Sequence, residues 1–325
     1  MKSPEQFPTF SVIVCTLNRA DALAACLATI VKSAGTLPSG AVELVVVDNG
    51  STDHTRAVVQ EIAASAPIDV RLHRENRKGL SHARNTGMSA ARGKCLVFTD
   101  DDCRLSQNYF DDLLRYCKDG KMDAIRGGKV VLGDLEDAAI TIRTETISKL
   151  YEKTLAPGGF IQGCNMVIPC EMAKKIGAFD TRLGAGSPLH AAEDTDYIVR
   201  AHLLGIPVEY VPEMTVTHLH GRRKREAVLA ITQNYQIGNG ALYMKYLFKA
   251  PWLLKHFLWS VRNGMLEVFG KPKFDENFGI SHWTVVGQNL RGMMKFAFIS
   301  MLGLFRHSGL RQEAAFPQPQ SSEYS

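Results

Sequence analysis

CLVFTDDDC, from Cys95 to Cys103, is the stretch that decides the fold. Cys95-Leu96-Val97-Phe98 has the length and residue types of a buried parallel strand, and Thr99, Asp100, Asp101 and Asp102 follow at its carboxyl end. In open α/β sheets, ligands bind in the crevice beyond those ends. Adjacent carboxylates repel one another, so three together need water or a cation. Mg²⁺ or Mn²⁺ prefers carboxylate oxygen and often bridges to a substrate phosphate. Two readings stand at this point: a metal–diphosphate site, or a solvated acidic turn capping a helix that starts near Ser106.

Upstream, residues 10–19 read FSVIVCTLNR. They predict a β-branched strand over 11–15, a polar turn through Thr16, Asn18 and Arg19, and a helix over 20–33 with Asp21 in its first turn. Residues 42–47, VELVVV, are a second buried strand ending at Asp48. An Asn49-Gly50 turn follows, and Ser51 or Asp53 can cap a helix running to 65. Residues 69–73 are a third strand. Asn76 and Lys78 stand in the polar segment before a helix that runs through Ala83, Arg84 and Asn85 to 91. Alternating strand and helix predicts a parallel sheet with helices on both faces, and right-handed crossovers bring the polar strand ends to one edge. GxGxxG is missing after the first strand and GxxxxGK[ST] is missing throughout. A dinucleotide fingerprint and a P-loop are therefore not expected.

The chain has 325 residues, enough for one large domain or a domain with an appendage. Its seven cysteines include no CxxC pair. That speaks against a disulfide framework or a structural zinc site and suits a reducing cytosol. The start, MKSPEQFPTF, lacks the apolar segment of a signal peptide, and no apolar run has the length of a membrane span. The net charge of +5 conceals an asymmetry: residues 222–311 hold 14 Lys and Arg against 4 Asp and Glu. That local +10, with two acids in the tail beyond, leaves residues 1–221 at −3. The two parts are expected to meet different partners.

Four segments carry a resemblance: residues 10–19, Val45-Val46-Val47-Asp48-Asn49-Gly50-Ser51-Thr52-Asp53, Gly79 with Ala83-Arg84-Asn85, and Thr99-Asp100-Asp101-Asp102. In order and spacing they resemble a family 2 glycosyltransferase over residues 9–221. The resemblance implies the GT-A fold, a Rossmann-like α/β architecture with a mostly parallel sheet and helices on both faces. It also implies transfer from a nucleotide-activated sugar with inversion at the anomeric carbon. By the same resemblance Asp48 binds the base, Asp100 lies by the ribose, and Asp102 coordinates the metal. Asp101 occupies the motif's variable middle. Thr16, Asn18, Arg19, Asn76, Lys78 and Arg84, on the strand ends and in the matched segments, are further nucleotide-sugar candidates.

Downstream, a helix is expected over 106–118, a strand over 122–132, a long helix over 138–155 and a strand over 158–168. Glycines in the last segment permit close backbone approach, and Asn165 can hydrogen-bond a sugar hydroxyl. The family's Gly-x-Asn element near the donor sugar falls here; a glycine turn before an edge strand is the alternative. A helix over 191–204 places Glu193, Asp194 and Asp196 in its first turns. Acids there complement the helix dipole. An acceptor hydroxyl also needs a base to take its proton during attack. By match to the family's Glu-Asp motif, Asp194 is the expected base, Glu193 orients groups or binds the acceptor, and Asp196 stands in reserve. A strand over 207–216 leads to Thr217-His218-Leu219-His220. The family often places a metal or diphosphate ligand here, with His218 the choice and His220 second. Arg222, Arg223, Lys224 and Arg225 can neutralise a leaving diphosphate, or simply begin a solvated basic helix.

From 226 the pattern is helical, with a helix able to begin at Pro251 and another over 283–305. Lys245, Lys249, Lys255 and Arg262 are interleaved with Tyr246, Phe248, Trp252, Phe257 and Trp259. Such helices either lie on an anionic membrane surface or pack on the catalytic domain with their cations in water. The expected division is a tail over 1–8, the GT-A domain over 9–221, a basic, mainly helical region over 222–311, and a disordered tail over 312–325.

The expectation is a metal-dependent, inverting, hexosyl-type transferase using Mg²⁺ or Mn²⁺. Its donor is a nucleoside-diphosphate sugar, UDP first and GDP or dTDP next. Its acceptor is a hydroxyl of a sugar, glycan or lipid-linked molecule, in polysaccharide, glycolipid or other cell-envelope glycoconjugate synthesis. Its place is the cytoplasm or the inner face of the cytoplasmic membrane. Rival readings are a nucleotidyltransferase and a catalytically silent sugar-nucleotide or membrane-binding module. The first would show a Gly-rich basic loop after the first strand, which CTLNR is not. Nucleic acid is not an expected partner, because the basic residues are mixed with large apolar ones.

Overall fold

The computed structural model describes residues 8–117, 122–306 and Phe316. Apart from Pro8 and Phe316, the two tails expected at 1–8 and 312–325 lie outside the described residues. The first half alternates as expected: β1 (Phe10–Thr16), α1 (Ala20–Ala34), β2 (Val42–Asp48), α2 (Thr55–Ser65), β3 (Asp69–Arg74), α3 (Leu80–Ala90) and β4 (Cys95–Asp100). After it come β5 (Cys103–Leu105), α4 (Tyr109–Leu114), β6 (Ile125–Leu132), β7 (Lys149–Leu150), β8 (Met166–Pro169), α5 (Cys170–Ile176), α6 (Glu193–Leu203) and β9 (Val208–His218). The chain then becomes helical: α7 (Arg225–Lys245), α8 (Leu254–Glu267) and α9 (His282–Arg306).

Among the described residues one sheet runs β3-β2-β1-β4-β8-β6-β9-β5, with β7 also on β9. β1 pairs in parallel with β2 and β4, β2 with β3, and β6 with β9. β8 runs against both β4 and β6, and β5 against β9. β1 and β2 read as near-continuous β-branched runs because helices cover both of their faces. Alternation sorts their side chains. Val12, Val14, Leu44 and Val46 meet Leu23, Leu27 and Ile30 of α1 on one side. Ile13, Val45 and Val47 meet Ala83 and Met88 of α3 and Ile198 of α6 on the other.

A third core joins Leu183, Leu189 and Val199 to Ala241, Leu242 and Tyr246 of α7 and Phe296 of α9. α7 and α9 approach so closely that a Cβ on Gly240 would lie 1.9 Å from the Asn289 carbonyl oxygen, and one on Gly292 2.0 Å from that of Ile237.

Three expectations after Asp102 need correction. Residues 138–155 form no helix: Arg143 bridges to Val130, Thr141 has φ of 55°, and β7 joins β9. The run Ile140-Thr141-Ile142 is β-branched, which disfavours a helix. In the 158–168 segment, a 3₁₀ turn over Gly163–Asn165 precedes a strand of four residues, β8. The helix expected over 106–118 is α4 alone, and its expected last residue lies outside the described ones.

Candidate active site

Register places the chemistry. Cys15 pairs with Asp100 and Thr16 with Asp48, so the ends of β1, β2 and β4 share one edge of the sheet. The chain turns through Asp101 and Asp102 into β5, where Cys103 lies opposite His218 on β9. The Leu219 N–H donates to the Asp102 carbonyl at 2.9 Å and pins the acidic turn to the end of β9. A cleft of about 770 Å³ opens above this edge.

The three carboxylates differ in surroundings. Thr16 Oγ1 donates to Asp101 Oδ2 at 2.7 Å. Arg19 Nη1 reaches Asp101 Oδ1 at 3.2 Å and Asp102 Oδ2 at 2.6 Å. His218 Nε2 lies 3.2 Å from Asp102 Oδ1. Burial pushes Asp101 up to about 6 despite Arg19. Burial also raises Asp100, although Arg84 opposes it. Burial alone would raise Asp102 too, but His218 and Arg19 outweigh it and hold that carboxyl well below the ordinary range. The turn is a crowded anionic site already drawing cations, as like charges in low dielectric require.

Arg84 ties this edge to the opposite wall. Its buried guanidinium donates from Nη1 to Glu193 Oε1 at 2.7 Å and approaches Asp100 Oδ1 with Nη2 at 3.4 Å. Gly163 makes room: a Cβ there would fall 2.4 Å from Arg84 Nη2. Glu193 opens α6 after Ala192 at φ of 73°. Burial raises the Glu193 carboxyl to about 7 against the pull of Arg84. Asp194 lines the cleft beside it. Its Oδ2 accepts the Gly163 N–H at 3.0 Å and its Oδ1 the Thr195 N–H at 2.6 Å. These bonds fix the carboxylate and leave lone-pair sites for a further partner.

With this geometry the family follows. A family model described as Glycosyl transferase family 2 matches residues 11–175. The chain belongs to this family. Glycosyltransferase AglE of Haloferax volcanii is 24% identical over 184 residues, 56% of this chain and 60% of that protein. A PGL/p-HBAD biosynthesis glycosyltransferase of Mycobacterium tuberculosis is 38% identical over 95 residues, 29% of this chain and 36% of that protein. The chain thus spans less than two thirds of these relatives. Among solved structures, the mannosyltransferase PcManGT from Pyrobaculum calidifontis, in complex with GDP-Man and Mn²⁺, superposes with a TM-score of 0.53 at 19% identity. It covers 94% of this chain and 80% of its own. GalNAc-T7 with UDP, GalNAc and Mn²⁺ gives 0.55 at 14% identity over 80% of this chain and 58% of its own. At such identities the likeness is one of fold, and the fold is GT-A with a helical C-terminal region.

Of the residues singled out for this family 2 site, Thr16, Arg19, Lys78, Arg84, Asp100, Asp101, Asp102, Glu193, Asp194, His218 and Arg222 all line the cleft. Others do not. Asn18 spends its amide oxygen on the Thr52 N–H at 2.8 Å. Asp48 accepts the Ser51 N–H at 2.7 Å at the sheet edge, and Asn76 is exposed outside the cleft wall. Asn165 is a correction. It is buried, receives Tyr109 Oη at 2.7 Å, and donates to the Lys129 and Met214 carbonyls at 2.9 Å each, so its amide is committed to the scaffold.

Asp196, the reserve base, is likewise committed to Arg200, Lys245 and Tyr246. The His220 ring is buried, its Nδ1 accepting the Arg222 N–H at 3.0 Å. The four-cation run divides. Arg223 is held by Asp134, Glu136 and Asp137, and Arg225 by the Asn277 and Phe278 carbonyls, which leaves Arg222 as the one of the four that lines the cleft.

The sequence reading missed the far wall. Ile231, Tyr235 and Asn239 lie on one face of α7 at spacings of four, and with Gln236, Gln162 and His190 they line the cleft. The i, i+4, i+8 spacing was the available signal. What it lacked was any sign of which neighbour that face meets.

Proposed function

We propose that the protein transfers a sugar from a nucleoside-diphosphate sugar, a UDP-sugar first, to a hydroxyl acceptor with inversion at the anomeric carbon. The observation that carries this reading is the Arg84 clamp, which ties the acidic edge of the sheet to the first turn of α6 across one cleft. Donor and acceptor chemistry need those two groups of acids within reach of a single sugar. Asp100 and Asp101, with Thr16, Arg19 and Lys78, form the donor end, and Asp48 stands at its edge for the base.

Asp102 offers a hard divalent ion a buried carboxylate that Arg19 only partly neutralises, and the buried His218 stands 3.2 Å from it as a second ligand. Mg²⁺ or Mn²⁺ held there supplies charge neutralisation to the diphosphate. Asp194 accepts the acceptor hydroxyl's proton while that oxygen attacks the anomeric carbon from the face opposite the nucleotide. The bond to the diphosphate breaks and its electron pair leaves with the nucleotide. Arg222 places further positive charge beside the departing group.

The mycobacterial relative's part in PGL/p-HBAD biosynthesis favours glycoconjugate synthesis as the setting. The exposed aromatic residues and cations of the helical region support contact with an anionic membrane surface. The test is a panel of UDP-, GDP-, dTDP- and CMP-sugars with Mn²⁺ or Mg²⁺, read by thermal shift and by release of free nucleotide. Metal-dependent stabilisation by one nucleotide, with slow release, is expected. No shift with any of them favours a catalytically silent module.

A further inference from the structure

Behind the acidic turn lies a second set of donors, and it is soft where the first is hard. Cys103, Cys164 and His218 are all buried, and their ligand atoms lie within 4.8 Å of one another. They come from three elements: β5, the 3₁₀ turn before β8, and the end of β9. Asp102 completes the group, because its Oδ1 lies 3.9 Å from Cys103 Sγ and 3.2 Å from His218 Nε2. A tetrahedral zinc site has metal–ligand bonds of about 2.0–2.3 Å, which puts its ligands roughly 3.3–3.8 Å apart. The two separations to Asp102 fall close to that edge length.

We propose that Cys103, Cys164, His218 and Asp102 bind a thiophilic divalent cation, zinc above all. Thiolate and imidazole donors select such ions over Mg²⁺ or Mn²⁺. An entry path exists: Cys164, His218 and Asp102 all line the cleft, so the ion enters from the substrate side with Cys103 at the rear. Each thiol gives its proton to solvent as its sulfur binds. Spacing along the chain hid the site, since 61 positions separate Cys103 from Cys164 and no CxxC marks either.

The two ions contend for the same side chains. Asp102 and His218 cannot serve zinc and also hold a hard ion against a diphosphate. Zinc loading therefore displaces the donor-side ion and suppresses transfer. That consequence rests on the transferase reading; zinc binding itself does not.

The test uses the full chain stripped with chelator and loaded with Zn²⁺, or with Co²⁺ as a spectroscopic stand-in, without nucleotide. Stoichiometric binding is expected, and the cobalt form should show thiolate-to-metal charge-transfer absorption. Cys103→Ser and Cys164→Ser should each weaken zinc binding by roughly 100-fold or more, because changes to groups that merely support a ligand already cost about 10- to 100-fold. A stoichiometric cobalt complex of the unaltered chain without charge-transfer absorption would overturn the proposal. So would unchanged zinc affinity in the double serine variant. The spectrum of the unaltered chain needs no variant to fold. A nucleotide screen that fails while cobalt–thiolate absorption appears would remove the transferase reading and leave the zinc site standing.

Discussion

Arg84 sets the terms at the scale of the residue. Its guanidinium is buried between Glu193 and Asp100, and both carboxyls are raised because burial disfavours their charge. Arg84→Met should destabilise the fold by about 3–5 kcal/mol, since breaking a buried ion pair strands its partner. Adding Glu193→Gln should recover part of that in a denaturant melt without restoring nucleotide release. Full recovery of both would remove the clamp from the mechanism. Asp194 makes a cleaner case, because its bonds are to the Gly163 and Thr195 N–H groups and the Thr195 hydroxyl, none of them a charged partner. Asp194→Asn should lower turnover by roughly 10²- to 10⁴-fold, the usual reach of general-base catalysis, with the donor's thermal shift retained. Steady-state rates under saturating donor decide it, and full activity would eliminate Asp194 as the base. The sequence already singled out both residues, because motif and spacing carry charge and order. It misjudged Asn165 and Asp196 because spacing does not show burial or which carbonyls wait nearby. An amide with every polar atom paired inside the scaffold looks the same in sequence as one facing a sugar.

The elements nearest the site owe their shape to a few polar ties. The segment after β3 that delivers Lys78 is closed by Glu75, which receives Arg77 Nε at 2.9 Å and Thr86 Oγ1 at 2.7 Å. Asn49 adds donors to the Glu75 and Arg77 carbonyls at 3.0 and 2.8 Å. Burial alone would raise the Glu75 carboxyl, but the bonds from Arg77 and Thr86 outweigh it and lower the value to about 2. A depressed folded-state value stabilises the fold above the unfolded pKa, and that gain is lost as pH falls from about 4.5 towards 2. Glu75→Gln should therefore cost about 1–3 kcal/mol at pH 7 and have little effect near pH 2. Urea midpoints at the two pH values check it; an equal loss at both would show that charge is not the cause.

Helix contact gives a sharper pair. Gly240 faces the Asn289 carbonyl with no room for a methyl group, whereas Gly287 on α9 has open space. Gly240→Ala should destabilise by about 1–3 kcal/mol, and Gly287→Ala should stabilise by up to about 1 kcal/mol. Melting temperatures moving in the same direction would contradict the packing of α7 on α9. The alternating first half was readable because parallel strands buried on both faces leave long β-branched runs. Residues 138–155 were not, because their order comes from isolated contacts, the Arg143 bridge to Val130 and the joining of β7 to the distant β9, which leave no periodic pattern.

Across the whole molecule the charge asymmetry acquires a geometry. α7 forms one wall of the cleft, and Lys245 on it reaches Asp180 and Asp196 of the catalytic part at 2.6 and 2.7 Å, so the basic region packs on that part and shares its site. Packing does not use up its apolar surface. Phe248 and Phe269 are 91% and 84% exposed, and Leu258, Trp259, Val268 and Trp283 are exposed as well. Cations at Lys249, Lys255, Arg262, Lys271 and Lys273 occur in the same helices and connections. Among the described residues no helix is long and apolar enough to cross a membrane. Exposed aromatics with interleaved cations suit the headgroup boundary, where each Lys or Arg near an anionic surface adds about 1 kcal/mol and apolar insertion adds the rest. The full chain should float with vesicles containing anionic lipid and remain behind with neutral ones. Added salt should weaken that binding by screening. Phe248→Ser with Phe269→Ser should reduce flotation without altering the nucleotide thermal shift, since neither side chain lines the cleft. Equal recovery on neutral and anionic vesicles would assign the binding to apolar contact alone. No recovery on either would overturn the membrane-surface reading of these aromatics.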